Sequence, residues 1–168
     1  MAGATAGRAN PLSEVQMRGA GAVVTVLGLA ACGGGQRQEA AVDSVQEDSV
    51  ALAMEQYDAS VFDTLTWETD TSAVNRGRVV YAFSCRKCHG TTGLGDGGFV
   101  LRGDTLHPPS LLEPDWRFAT DLPGFRLQVF TGNAEGMPHW GLVGLKMRDI
   151  DAVTRYILEE LRAEARGG

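Results

Sequence analysis

Two stretches in the second half of the chain carry apolar residues at helical spacing. From Asp149 to about Arg162 the apolar side chains recur every three or four residues, as in a helix with one buried face, and Asp149 is a suitable N-cap. The buried face of this predicted helix consists of Ile150, Val153, Tyr156, Ile157 and Leu161. A shorter helix is predicted from Asp121 to Thr131, because Gly132 suits the position just after a last helical turn. These patterns favour an all-α fold.

The N-terminal part of the chain follows a different pattern. Residues 20–31 form a short apolar run that follows Arg18 and ends in small residues, which is the layout of a secretory signal peptide. The run is too short to span a bilayer. From Gly33 to Asp70 nine acidic residues stand against one base, so this stretch carries a charge of −8 and is typical of a solvated tether. Its second half, Tyr57 to Trp67, is apolar enough to pack on the core as an arm, and we expect order to begin near Tyr57.

Charge and length divide the chain into three segments. We predict a signal peptide at 1–31, a tether with its arm at 32–70 and one folded domain at 71–168, since 168 residues provide for a single core plus a tail. Met17, followed by a base, is a better signal start than Met1. The last segment has a net charge of +1, which gives no indication of nucleic-acid binding.

One pentapeptide carries the candidate chemistry. Cys85-Arg86-Lys87-Cys88-His89 is a C-x-x-C-H sequence, the signature of c-type haem attachment. Two thiols separated by two residues at a helix end each bond a vinyl group on one porphyrin edge, and the next residue turns its imidazole onto the iron. The motif therefore predicts one covalent haem c, with His89 as an iron ligand. Such attachment occurs outside the cytoplasm, which agrees with the export signal.

Two other interpretations of the motif stay open. Cys85, Cys88 and His89 can bind zinc with His107 or His139 as the fourth ligand, although the usual second pair of ligands is absent. The two cysteines can also form a thioredoxin-type redox pair. That pair requires a βαβ setting, which the residues before the motif do not indicate.

The end of the apolar N-terminal run resembles a bacterial lipoprotein signal. Leu29-Ala30-Ala31-Cys32 is followed by three glycines, and the sequence is similar to a lipobox. The resemblance implies that Cys32 is lipidated and begins an exported protein, anchored to the membrane and facing the periplasm or the cell exterior. Ordinary cleavage near an unmodified Cys32 is the alternative.

From Ser72 to Arg162 the chain resembles class I cytochromes c. Gly77 and Tyr81 lie eight and four residues before the haem motif, and they match the glycine and the aromatic residue of the family's N-terminal helix. Val153 and Tyr156 match the family's contacts on the C-terminal helix. The resemblance implies the class I cytochrome c fold, with helices that cross at these residues and pack around one covalent haem.

The same resemblance implies a second axial ligand. Met137, in the loop Gly136–Gly141, matches the family's methionine that binds the iron opposite His89. His139 is the rival ligand. Asn133 could donate a hydrogen bond to the Met137 sulfur, but an ordinary exposed loop residue is the favoured interpretation.

Two segments between these ligands are expected to contact the haem. The family uses a proline carbonyl to accept the Nδ1 hydrogen of the proximal histidine, and Pro108 is the candidate, followed by Pro109. The predicted helix at 121–131 is expected to cover the haem with Phe125, Val129 and Phe130.

Met/His ligation implies an electron carrier. It fills both axial positions and raises the haem potential, so no small-molecule substrate and no catalytic residue are expected. The expected partners are redox proteins of a respiratory or related electron-transport chain. Two alternatives remain: a haem enzyme or sensor with an open sixth position, and a haem subunit docked in a larger oxidoreductase complex. The bases that would steer an acidic partner, or form an ordinary solvated surface, are Arg86, Lys87, Lys146 and Arg148.

A narrower group is also similar. The residues around the haem motif resemble the monohaem cytochrome subunit of the quinol-oxidising alternative complex III. The acidic tether and its arm have no counterpart in that resemblance. The matching stretches are Gly95-Asp96-Gly97, Leu101-Arg102-Gly103, Pro108-Pro109-Ser110-Leu111, Phe130-Thr131-Gly132-Asn133 and Gly136-Met137-Pro138.

Overall fold

A computed structural model describes residues 47–167, so the predicted signal peptide, Cys32 and the first part of the tether lie outside the described residues. Strand is limited there to one hairpin with two strands of two residues each, and the all-α prediction is confirmed. The elements in chain order are α1 (47–56), a 3-10 helix (Ala59–Thr64), α2 (Asp70–Val80), a π-helical segment (Tyr81–Cys85), α3 (Arg86–His89), β1 (Val100–Leu101), β2 (Asp104–Thr105), α4 (Leu122–Thr131), α5 (Trp140–Val143), α6 (Met147–Arg155), a second π-helical segment (Tyr156–Leu161) and α7 (Arg162–Gly167).

The crossing of α2 with α6 positions the haem motif. At the crossing Gly77 lies so close to α6 that a Cβ would overlap the Ala152 carbonyl. The rings of Tyr81 and Tyr156 pack beside it, with centroids 5.5 Å apart. The predicted contact of Gly77 and Tyr81 with the last helix is therefore confirmed. Because α2 runs through the π-helical segment into α3 without a break, this crossing also fixes where the motif lies.

The last helix begins three residues earlier than predicted. Its first residue is Met147, and Lys146 precedes it without a side-chain cap. The prediction that Asp149 caps the helix is wrong, because its carboxylate pairs instead with Arg76 of α2, with Nη2 and Oδ1 2.7 Å apart. The predicted apolar stripe is confirmed, since all of its members are buried: Ile150, Val153, Tyr156, Ile157 and Leu161.

The shorter helix, α4, has the predicted bounds to within one residue, and it has two distinct faces. Asp121 caps it by accepting a hydrogen bond from the Gly124 amide at 2.9 Å, and Gly132 ends it with a φ of 66°. One face of α4 lines a cavity described below. The opposite face contacts the segment that precedes α2.

Order begins before Tyr57. Residues 47–56 are already helical, and Ala53 in this helix is fully buried. The expected start near Tyr57 is therefore wrong, because α1 has apolar residues of its own and one of them, Ala53, belongs to the buried core. The arm that follows is defined here as residues 57–67, and its Phe62 belongs to the buried core.

Candidate functional site

A cavity of about 640 Å³ lies between the haem motif, the loop that precedes α4, α4 itself and the loop that precedes α5. This volume is in the range of cofactor sites. Cys85, Cys88 and His89 line one wall, and Met137 and Gln128 line another. The remaining lining is mostly apolar and includes Leu111, Phe125, Val129, Val153 and Ile157.

Both cysteines of the motif are free thiols that border the cavity. Burial, and then the nearby Cys88, raises the pKa of Cys85 to about 12. Burial also raises the pKa of Cys88, although the charge of Lys87 opposes this. Both groups therefore remain protonated at neutral pH. The end of the motif is held by Tyr81, whose hydroxyl donates to the Gly90 carbonyl at 2.8 Å.

His89 presents a half-buried imidazole. Burial lowers its pKa, which favours the neutral ring that a metal requires. Its Nδ1 is buried and has no hydrogen-bond partner among the described residues. The predicted bond to the Pro108 carbonyl is thus not formed. Pro108 borders the same cavity, but its carbonyl lies against Gly95, where a Cβ would overlap it, and the Gly95 amide donates to the His89 carbonyl at 2.9 Å.

Met137 is held by two side chains with separate tasks. The Asn133 side-chain oxygen accepts a hydrogen bond from the Met137 amide at 2.9 Å. Gln128 Nε2 lies 3.8 Å from the Met137 sulfur and donates to it. Asn133 therefore binds the Met137 backbone through its side-chain oxygen, whereas Gln128 supplies the hydrogen bond to the sulfur. Gln128 was missed, although it lies three residues after Phe125 and hence on the cavity face of the predicted helix.

The other candidate side chains occupy different places. His139 is absent from the cavity lining, whereas His107 borders it from an exposed position. Phe125 and Val129 line the cavity as expected, but Phe130 does not; its ring packs on Tyr57 with centroids 5.3 Å apart. The prediction for Phe130 was wrong because α4 turns this residue towards the arm.

Within residues 47–167, no group of three or more His, Cys, Asp or Glu side chains is placed to hold a metal ion. None of the helices in this range is long and apolar enough to cross a membrane.

The residues present fit a covalently bound haem. Two thiols and a buried imidazole nitrogen without a partner face one apolar cavity of cofactor size, as in c-type cytochromes. A family model described as "Cytochrome C oxidase, cbb3-type, subunit III" matches residues 72–157. Because this match covers more than half of the 168 residues, the chain belongs to this family of cytochrome c domains.

Family membership fixes the general activity. Cytochrome c domains bind haem c covalently through its vinyl groups and transfer electrons, which favours an electron carrier over an enzyme. No curated protein and no solved structure matches the chain. The motif, Met137 and Pro108 all lie inside the matched range, whereas the arm lies outside it.

Proposed function

We propose that this protein is a single-haem electron carrier in which Cys85 and Cys88 hold the haem and His89 and Met137 are its axial ligands. The observation that carries the proposal is the placement of the His89 imidazole and the Met137 thioether on the lining of one cavity. When bound, the haem supplies a one-electron ferric/ferrous couple. With both axial positions taken by side chains of this chain, no site remains for a small-molecule substrate.

The surrounding residues are suited to this task. The apolar lining excludes water from the iron, which together with methionine ligation favours a high potential. In the haem-bound protein we assign the Pro108 carbonyl as acceptor for the Nδ1 hydrogen of His89. Two observations support this assignment: the nitrogen is buried without a partner, and Pro108 borders the same cavity.

The test is the optical spectrum of Met137→Ala beside the matched variant Met147→Ala. Met147 lies in the first turn of α6 and is absent from the cavity lining. We expect the unsubstituted protein and Met147→Ala to show the weak red band of the ferric form that marks sulfur ligation. Met137→Ala should lose it and bind carbon monoxide in the ferrous form. A band that survives in Met137→Ala would contradict the assignment. Bound haem without the band in the unsubstituted protein would favour the enzyme or sensor.

The proposal includes export and a lipid anchor at Cys32, facing the periplasm or the cell exterior in a respiratory or related chain. It also keeps the division into a signal peptide at 1–31, a tether with its arm at 32–70 and a cytochrome domain at 71–168. The lipobox-like sequence and the acidic stretch after it support this arrangement. Cys32→Ser should release the protein into the soluble exported fraction with its haem intact, and retention on the membrane would refute the anchor.

A second candidate function is that of a haem subunit docked in a larger oxidoreductase complex. Phe83, two residues before Cys85, has 86% of its surface exposed, and Val79 one turn earlier is 46% exposed. Large exposed apolar side chains on the helix that carries the motif favour a protein partner there. Size separation of the proteins from detergent-solubilised membranes distinguishes the two functions. A docked subunit migrates with a larger complex and Phe83→Ser releases it, whereas a carrier migrates alone.

Two of the four bases considered for steering contact aromatic rings. The Arg148 guanidinium lies over the Trp67 ring, 3.8 Å from its centroid, and donates to the Thr66 carbonyl. The Lys87 ammonium lies 4.4 Å from the Phe99 ring centroid, although the residue is exposed. These contacts leave the charges in place, so electrostatic attraction of an acidic redox partner draws on all four exposed bases, Arg86, Lys87, Lys146 and Arg148, and it should weaken as salt is added.

A further inference from the structure

A buried carboxylate joins the arm to the two helices behind the cavity. Asp151 of α6 has only 1% of its side chain exposed. Its Oδ2 accepts a hydrogen bond from Trp67 Nε1 of the arm at 2.7 Å, and its Oδ1 pairs with Arg126 of α4. Arg155 follows one turn further along the same helix, and its Nε lies 3.1 Å from Asp151 Oδ2. Because a buried charge must be compensated, these contacts hold the three segments in one arrangement.

Aromatic contacts join the arm to α4 at two further points. The Arg126 guanidinium lies over the Phe62 ring, 4.6 Å from its centroid. At the other end of α4, Tyr57 packs edge-on against Phe130, with centroids 5.3 Å apart. Arg126 and Phe130 are four residues apart and hence on one face of α4. The arm therefore contacts this face along one full turn.

The opposite face of α4 holds the methionine. Gln128 lies between Arg126 and Phe130 in sequence but borders the cavity. Its Nε2 donates to the Met137 sulfur at 3.8 Å and to the Gly132 carbonyl at 2.9 Å. A helix of this length moves as a rigid body, so a displacement on the arm side is transmitted to Gln128.

We propose that the arm is a positioning element for Met137. Trp67, through Asp151 and Arg126, and Tyr57, through Phe130, fix α4 so that Gln128 and the chain after it hold the thioether at the axial position. The inference rests on the proposed function, because it requires Met137 to be an iron ligand. Trp67 and Asp151 act through other residues and do not touch the cofactor site.

The test uses Trp67→Phe in the full-length, haem-loaded protein. This substitution removes the indole N–H but leaves an aromatic ring for Arg148. Added imidazole competes with Met137 for the ferric iron, and loss of the red band reports the competition. We expect the apparent imidazole affinity to rise about tenfold. The free energy of a hydrogen bond to a buried carboxylate corresponds to about a tenfold change in an equilibrium constant. Tyr57→Leu should raise the imidazole affinity by a smaller factor. It is the test variant if Trp67→Phe does not fold.

The matched control is Asp149→Asn. It removes the Arg76–Asp149 pair between α2 and α6 and leaves every contact of α4 in place. Denaturant unfolding of each variant separates a loss of global stability from a change in ligation. Asp149→Asn should lower stability while the imidazole affinity stays within about twofold. An unchanged affinity in the arm variants overturns the inference, and so does an equal rise in the control. Failure of the proposed function is distinct: the red band would then survive Met137→Ala.

Discussion

The two walls of the cavity are built in different ways. On the His89 side, both thiols and the imidazole belong to five consecutive residues at the end of one continuous helix. On the Met137 side, a loop residue is held by Asn133 and by Gln128 of α4. The first wall depends on local sequence and one helix crossing, whereas the second depends on packing between distant segments. Substitutions should therefore affect the two walls differently.

The polar groups differ as well. On the His89 wall Nδ1 has no partner among the described residues, and burial raises the pKa values of both thiols. On the Met137 wall the backbone amide, the carbonyl and the sulfur of Met137 all have hydrogen-bond partners. The His89 wall thus leaves a buried polar atom unsatisfied, while the hydrogen bonds of Met137 are already formed within the protein.

The largest expected difference between the walls concerns the attachment of haem. The double variant Cys85→Ala with Cys88→Ala removes both sulfurs that form thioethers, so it should contain essentially no covalent haem. Met137→Ala should keep its full content, because it changes only an axial ligand. Haem staining after denaturing electrophoresis measures both. Covalent haem in the double variant would show that attachment does not use these thiols.

A smaller effect, on the free energy of unfolding, is expected from a substitution at the helix crossing that supports the His89 wall. A Cβ at Gly77 would overlap the Ala152 carbonyl, so Gly77→Ala should reduce the free energy of unfolding by about 3 kcal/mol. Asn75→Ala, exposed on the same helix, should change it by no more than about 0.5 kcal/mol. Urea unfolding of the haem-loaded proteins measures both. The red band of the folded fraction should survive in Gly77→Ala, and its loss would mean that the two walls are not independent.

The contrast between local sequence and contacts among distant segments also explains what the sequence could predict. The motif, the buried stripe of the last helix and the bounds of α4 depend on spacing within a few residues, and the structure bears out the stripe and these bounds. The Asp151 cluster depends on partners far along the chain: Trp67 is 84 residues away and Arg126 is 25. Asp and Arg in such positions are normally taken as surface residues, since burial becomes favourable only when the partners meet.

The errors have the same origin. Asp149 is an acceptable N-cap by local rules, but its partner Arg76 is 73 residues away, and the helix starts earlier. Asn133 is the nearer candidate for the Met137 sulfur in sequence, whereas Gln128 reaches it from α4. Local patterns identify which face of a helix is buried, but they do not identify which polar side chains meet across the fold.

The smallest expected effect tests the Met137 wall alone. The Gln128 N–H withdraws electron density from the sulfur, which favours ferrous over ferric iron. Gln128→Leu should therefore lower the midpoint potential by about 20–40 mV, since a hydrogen bond of about 0.5–1 kcal/mol converts at about 59 mV per tenfold change. A redox titration followed by absorbance measures the shift.

Thr131→Val is the matched control for this variant. Its hydroxyl donates to the Leu127 carbonyl at 3.0 Å on the same helix and makes no hydrogen bond with Met137. The control should leave the potential unchanged, although it also removes a buried hydrogen bond. Equal shifts in both variants would mean that the potential follows the general integrity of α4. A shift in Gln128→Leu alone would mean that one side chain on α4 sets the ligand's donor strength, while the attached haem on the His89 wall is unaffected.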